Sequence, residues 1–330
     1  MAGKIGDRVS NTTACKVCGT HDSEIVGLKG RDGSPLTTVI CTGCGLVHSW
    51  PLPSKAELDA YYASRYRSDY KATLTPKRKH ILRYSRTGLG RLERIQKHVQ
   101  TGAKVLDVGS GSGEFLYLAE LAGYKAIGLE PHKGYSDYTR RVFGAQIVCS
   151  PLEEAGIEEG SFDAITLHHV LEHLHLPLTS LSIMNRWLKP GGMLFVDVPD
   201  IENTHHAPST RFHYAHVYNF NHDTLKAMLA QAGFDLAEHN AGSGTSLVAR
   251  KMRAPDPGQL HPMPENYARL SAALQPAQSE ARYQAKRPLR RLVARLYRFS
   301  GEILQSTLVW HPRRIVDREY RKWKLAARAG

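Results

Sequence analysis

Between residues 101 and 252, short apolar runs alternate with stretches of helical period. Short, mostly apolar runs of three to six residues predict strands at 104–108, 126–129, 146–148, 164–167 and 193–198. Apolar positions three and four apart predict helices at 114–121, 136–143, 178–188 and 223–231. Punctuation supports these bounds: Gly160-Ser161 precedes one strand, Lys189-Pro190-Gly191-Gly192 stops one helix and Gly233 closes another. Strands alternating with helices imply a parallel sheet covered on both faces. The last two predicted strands, 234–238 and 246–250, flank a short Gly-containing loop, which implies an antiparallel pair at the sheet edge.

The flanks read differently. Residues 1–53 are Gly-rich with paired cysteines and end in Trp50-Pro51-Leu52-Pro53. Residues 54–100 have helical character and many Tyr, Lys and Arg. After the αβ region, Pro255, Pro257, Pro262 and Pro264 mark a linker, and 265–330 reads as helices. The expected organisation is therefore a cysteine module (1–53), a helical lid or linker (54–100), an α/β domain (101–252) and a helical extension (253–330).

Charge changes this picture at one end. Of the +13 net charge, most sits in residues 251–330, which hold 17 Lys and Arg against 6 Asp and Glu. Leu289, Leu292, Val293, Leu296 and Tyr297 recur at helical spacing, with Arg287, Arg290, Arg291, Arg295 and Arg298 largely off that stripe. Such a helix can lie on an anionic membrane, hold an anionic substrate or pack on its own domain. No run of eighteen apolar residues occurs, and Met1 to Ser10 lacks the core of a signal peptide, so a cytoplasmic location is expected.

The first chemistry lies at 105–113, where a strand meets a helix in the order Val105-Leu106-Asp107-Val108-Gly109-Ser110-Gly111-Ser112-Gly113. Glycines there permit a tight turn and close approach of a ligand to the backbone. Glu130, at the end of the next strand, can accept from both ribose hydroxyls of a nucleoside. The spacing is Gly-x-Gly-x-Gly rather than that of a dinucleotide site. Asp107 inside the strand suits a cationic ligand better than a pyrophosphate.

These residues resemble the class I S-adenosylmethionine-dependent methyltransferases. Asp107 to Gly113 matches the family's first motif, Ile127-Gly128-Leu129-Glu130-Pro131 its second, and Ser161-Phe162-Asp163 and Leu188 to Gly192 its later landmarks. The resemblance covers about half of the chain, with the motifs in the family's order. It implies a Rossmann-like seven-stranded methyltransferase sheet and S-adenosylmethionine as cofactor. Gly109 and Gly111, with Ser110 and Gly113, would line the methionine end. Glu130 would hold the ribose beside Pro131, Leu152 would flank the adenine, and His168 would stand at the cofactor from the end of the fourth strand. Members usually carry an acid near the position of Pro151, which this chain lacks.

Two histidine clusters could serve the acceptor. His168-His169-Val170-Leu171-Glu172-His173 follows the fourth strand, and His169, Glu172 and His173 could share one helical face. The run is similar to the Glu-x-x-Glu-His metal motif of quinone-biosynthesis O-methyltransferases, with His169 in place of the first acid. A metal site and a structural or cofactor-positioning role both stay open for it. The second cluster, Arg211-Phe212-His213-Tyr214-Ala215-His216, interleaves aromatics with polar groups, as an acceptor pocket does. It is similar to the Tyr-His-Glu-His loop of deoxysugar C-methyltransferases. That likeness implies His216 as general base, assisted by Tyr214 or His213, with Ala215 where the family has Glu.

Cys15-x-x-Cys18 and Cys41-x-x-Cys44 are separated by 22 residues, a spacing that can set four thiolates tetrahedrally around a structural Zn²⁺. Gly19 and Gly45 are placed for sharp turns that aim N–H groups at sulfur. Cys149 reads as a core thiol. Deoxysugar C-methyltransferases carry a similar zinc module before the same fold, which implies a zinc ribbon here. Tyr61, Tyr62, Tyr66 and Tyr70 could form a lid over the cofactor or simply pack. The leading expectation is methyl transfer to a small-molecule or glycan acceptor, a sugar nucleotide or lipid-linked saccharide. An RNA methyltransferase and a non-catalytic cofactor-binding scaffold are the alternatives.

Overall fold

The computed structural model describes residues 3–64, 76–203, 210–240, 245–275 and 311–329. Tyr66, Tyr70 and the Arg287–Arg298 stripe lie outside the described residues. The chain forms two sheets. The smaller holds β1 (Arg8–Ser10), β2 (Asp22–Lys29), β3 (Pro35–Cys41), β4 (Val47–Ser49) and β10 (Tyr218–Asn219), in that order. The larger has seven strands. Its parallel part is β8 (Phe162–His168), β5 (Lys104–Val108), β6 (Lys125–Leu129) and β7 (Gln146–Val148), paired in that order. β9 (Leu188–Val198), β12 (Thr245–Lys251) and β11 (Phe234–Asn240) complete it on the other side of β8. β11 and β12 pair antiparallel, as the short loop between them predicted. The expected Rossmann-like seven-stranded α/β sheet is therefore the observed one.

Two compact units divide the chain. One comprises Met1–Tyr66, His168–Arg186 and Val196–Arg287; the other comprises Arg67–Leu167, Trp187–Phe195 and Pro288–Gly330. In the second unit, α2 (Arg78–His98), α3 (Glu114–Leu121) and α4 (Lys133–Phe143) accompany the parallel strands. α8 (Pro312–Ala329) packs on α2 and α3 through Ile315 and Val316, both fully buried. Polar contacts fix its rotation: Arg313 lies over the Tyr117 ring, Tyr117 donates to Asp317 at 2.8 Å, and Arg86 pairs with the buried Glu319. The last helix of the basic extension thus covers its own domain.

In the first unit, α1 (Lys55–Ser64) follows the small sheet, and α6 (His222–Gln231) and α7 (Pro264–Leu274) pack nearby. Val26, Ile40 and Val47 from the strands form a core with Phe212, Leu270 and Leu274.

Two local expectations are corrected. The helix α5 (Pro177–Trp187) stops one residue early, and Leu188 is already extended. Pro190 excludes the helical region for Lys189 and lacks an N–H for the helix ladder, so the strand begins before the Pro-Gly-Gly turn. His169 to His173 also do not form a regular helix. His169 has φ 56°, and its N–H donates to the Asp197 carbonyl at 2.8 Å, so sheet-like pairing continues past β8. A single 3₁₀ turn, Leu171–His173, follows.

Candidate functional site

The glycine loop is shaped by bonds from Glu130. One carboxylate oxygen accepts the Gly111 N–H and the other the His132 N–H, both at 2.9 Å. A carboxylate oxygen can accept more than one donor, such as a hydroxyl of a ribose diol. Gly109 and Ser110 both donate to the Leu129 carbonyl, which ties the loop to the end of β6. Gly113 holds φ 83° at the start of α3, and a Cβ there would stand 2.5 Å from Thr139 Cγ2. At Gly111 a Cβ would meet nothing closer than 4.0 Å, so the space in front of this backbone is open to a ligand. These features fit a nucleoside cofactor held at a helix start.

Other predicted cofactor residues differ in setting. Ser110 is buried with a hydroxyl that finds no partner among the described residues. Leu152 is buried on a short 3₁₀ turn, and Pro131 is exposed. Asp107 is buried within β5 and accepts the Thr166 hydroxyl at 2.7 Å. Burial pushes its carboxyl up to about 7, against the lowering effect of that hydroxyl. Cys149, expected as a core thiol, is exposed at the end of β7, where the strand is too short to carry it inside.

The other unit holds the histidines. His168 is held at Nδ1 by Asp197 at 2.7 Å, and Asp197 also accepts the Ser246 hydroxyl. His173 Nδ1 donates to the Ala215 carbonyl at 2.7 Å. That bond brings the first cluster to the second: the rings of His173 and His216 meet edge to face at 4.9 Å, and His213 and His216 at 5.6 Å. His213 Nδ1 accepts the Ala215 N–H at 3.1 Å, which places the proton of a neutral ring on Nε2. Tyr61 packs on Tyr214 and His213 at 4.9 and 6.4 Å.

Glu172 sits beneath this cluster, 1% exposed. Its burial would raise the carboxyl, but the imidazoles of His169, His173 and His216 outweigh that and hold it below the ordinary carboxylate range. Burial, and then His173, push His216 down to about 3, while Glu172 opposes the shift. His216 is therefore a neutral imidazole at physiological pH.

The loop that carries these histidines is built on the cysteine module. β10 pairs with β4, Ser49 donates to the Val217 carbonyl, and Arg31 donates to the Phe212 carbonyl. Gly27 lets the Phe212 ring lie on β2, since a Cβ there would stand 2.4 Å from it. The four cysteine sulfurs lie within 4.8 Å of one another, with Cys15–Cys44 at 3.7 Å and Cys18–Cys41 at 3.4 Å. Sulfurs on a tetrahedral zinc stand about 3.8 Å apart, so the set fits that ion. Gly19 and Gly45 take φ 80° and 83°. Their N–H groups donate to the Cys15 and Cys41 carbonyls, not to sulfur as expected, because each closes the turn on its own first residue.

Several partners were not legible in advance. Asp197 behind His168, Glu172 beside His216 and Tyr61 against Tyr214 are each distant in sequence from what they touch. Only the buried side of strand and turn patterns pointed towards them.

Sheet order, glycine loop and ordered motifs define a class I S-adenosylmethionine-dependent methyltransferase domain. Residues 77–239 match the family model described as a methyltransferase domain. The chain is 32% identical over 114 residues to a ubiquinone biosynthesis O-methyltransferase of Nitrosococcus oceani, covering 32% of this chain and 48% of that one. It is 33% identical over 156 residues to a tRNA U34 carboxymethyltransferase of Syntrophotalea carbinolica, covering 43% and 48%. The chain thus spans about half the length of these curated relatives. Among solved structures, a SAM-dependent methyltransferase from Archaeoglobus fulgidus aligns with TM-score 0.44 and 19% identity over 56% of this chain and 100% of that one. The 1,6-didemethyltoxoflavin-N1-methyltransferase of Burkholderia thailandensis aligns with TM-score 0.45 and 18% identity, over 63% and 96%.

Proposed function

We propose that the protein is a methyltransferase that uses S-adenosylmethionine and moves the methyl group to a small-molecule or glycan acceptor, with His216 as general base. The methyltransferase domain and the Glu130-braced glycine loop support the donor. One observation carries the acceptor side: a neutral, buried His216 set beside His173, His213 and the ionised Glu172. The cofactor supplies an electrophilic methyl on a sulfonium. The protein aligns the acceptor and takes its proton. A neutral imidazole can accept that proton, and the Glu172 carboxylate offsets part of the cost that burial places on the resulting imidazolium. Tyr61, Tyr214 and His213 wall the loop with aromatic surface suited to a sugar or ring acceptor. Asp107, Gly109, Ser110, Gly111, Gly113, Glu130, Pro131, Leu152 and His168 form the cofactor set in this reading.

Cys15, Cys18, Cys41 and Cys44 would hold a structural zinc, closed by four thiolates and without a catalytic position. The acceptor class rests on the likeness of the His213–His216 segment to the deoxysugar loop. Among the described residues no helix is long and apolar enough to cross a membrane. A cytoplasmic enzyme, with peripheral membrane contact through the basic extension, is consistent with that.

The test is His216→Gln with labelled cofactor and a fractionated extract. Label should enter saccharide or lipid with wild-type protein and fall by about 10²-fold or more with the variant, with cofactor affinity unchanged. Undiminished transfer by the variant would remove His216 from the mechanism. The relative acting on tRNA supports a second reading, an RNA acceptor. Label appearing in RNA, with binding that weakens steeply as salt rises, would favour it.

A further inference from the structure

We propose that Glu172, His173 and His216 form a second metal site, one that takes a divalent transition cation at the acceptor histidines and is separate from the four cysteines. One ligand atom from each of the three lies within 4.8 Å of the others. The set is not the run of neighbours in the sequence. His169 is exposed and its Nδ1 stands 3.6 Å from Glu172, whereas the third ligand arrives from a loop far along the chain.

Glu172 supplies the first independent reason. It is almost wholly buried, and neither of its carboxylate oxygens has a hydrogen-bond partner among the described residues. A buried carboxylate without donors costs several kcal/mol unless a positive charge answers it. His169 Nδ1 and His173 Nε2 stand 3.6 and 3.7 Å from it, both beyond hydrogen-bond range. A cation between the groups answers the charge directly.

His173 supplies the second reason. Its Nδ1–H is committed to the Ala215 carbonyl at 2.7 Å, so the lone pair of the neutral ring lies on Nε2, the atom facing Glu172. Metal-bound histidines are oriented in this way, with the other ring N–H given to a carbonyl. The same Ala215 ties this ring to the His216 loop. Ligand atoms on a tetrahedral Zn²⁺ with N and O donors stand about 3.4 Å apart, so modest side-chain closure completes the geometry.

The donor set selects the ion class. Two imidazoles with one carboxylate suit Zn²⁺, Fe²⁺, Co²⁺ or Ni²⁺ rather than Mg²⁺ or Ca²⁺, which prefer oxygen. Three protein ligands leave a coordination position open, unlike the cysteine site. An acceptor oxygen bound there would lose its proton to solvent more readily, since the cation stabilises the oxyanion. A metal-bound His216 has no lone pair for that proton, so the loaded site and His216 acting as base are alternative routes at one place. The inference shares the acceptor pocket of the proposed function but does not depend on methyl transfer.

Cobalt(II) titration of the metal-stripped full-length chain tests it. The cysteine site reports through an intense thiolate-to-cobalt charge-transfer band. The second site should bind a further equivalent that adds only weak d–d absorption. His216→Gln and Glu172→Gln should each weaken that second equivalent by more than about tenfold while leaving the thiolate band intact. The thiolate band and the circular dichroism spectrum report folding; if Glu172→Gln fails to fold, His216→Gln decides alone. A single equivalent with thiolate character, or a second equivalent that survives His216→Gln, overturns the proposal. Turnover of His216→Gln is read separately, so failure of His216 as base leaves the cobalt result interpretable.

Discussion

Glu130 and Asp107 are both acids at strand ends or interiors, yet their surroundings give them opposite work. Glu130 braces two backbone N–H groups, and its removal would orphan both beside the glycine loop. Glu130→Ala should therefore lose about 1–3 kcal/mol of stability, measured by urea unfolding, and more than about tenfold in cofactor affinity by calorimetry. Asp107 instead keeps its proton. The folded protein holds it to about pH 7, while an unfolded chain releases it near pH 4. Between those values the folded state binds more protons, so stability drops as pH rises through the window. Asp107→Asn should remove that part of the slope. Without cofactor, the Tm of the variant relative to wild type should rise from pH 4 to 7 and level off above it. A difference that stays flat across the window would place the proton elsewhere.

At the scale of elements, ends matter more than middles. α6 starts with a capping box: the Asn221 side chain accepts the Thr224 N–H, and the Thr224 hydroxyl accepts the Asn221 N–H. Asn221 also donates to Asn266 at 2.8 Å, and Asn266 donates to the Cys44 carbonyl at 2.8 Å. This buried chain links the second cysteine knuckle to the start of α6 and α7. Asn221→Ala should cost about 2 kcal/mol or more, since it removes a cap and the buried hydrogen bond to Asn266, leaving Arg269 as the donor to that oxygen. Thr224→Ala breaks only one arm of the box and should cost less; chemical denaturation of the two variants separates the contributions. α8 is held by its apolar face. Truncation after residue 311 removes Ile315 and Val316, uncovers the faces of α2 and α3 that they pack on, and should cost about 3–6 kcal/mol, seen as a lower Tm.

At the scale of the molecule, the cysteine module is a platform, since its sheet continues through β4 into β10 and the histidine loop follows from that pairing. Loss of the zinc proposed for the module should then disorder the histidine loop first. Cys44→Ser should abolish transfer while the glycine loop, in the other unit, keeps cofactor affinity within a few-fold of wild type. Zinc content by elemental analysis and cofactor calorimetry on the same sample check this. If affinity falls together with transfer, the two units do not act separately in this respect.

The strand-helix alternation, the glycine loop and the cysteine knuckles were legible in the residues because each is a local signal. Periodicity marks which face is buried, positive φ demands glycine, and a knuckle needs two thiols three positions apart. The α/β class followed from those, and the likeness to methyltransferases from the order of the motifs along the chain. Tertiary structure decided what the polar side chains do. Asp107 reads as an acid suited to a cationic ligand, but burial in the folded chain raises its carboxyl to about 7, against the lowering effect of Thr166. His173 reads as one face of a helix with His169, but the chain pairs past β8 and turns once, and His173 meets His216 instead. Glu172 becomes the centre of that cluster only when a loop built on the cysteine module closes over it. Charge and proton affinity depend on which segments meet, and the spacing of residues along one chain does not carry that.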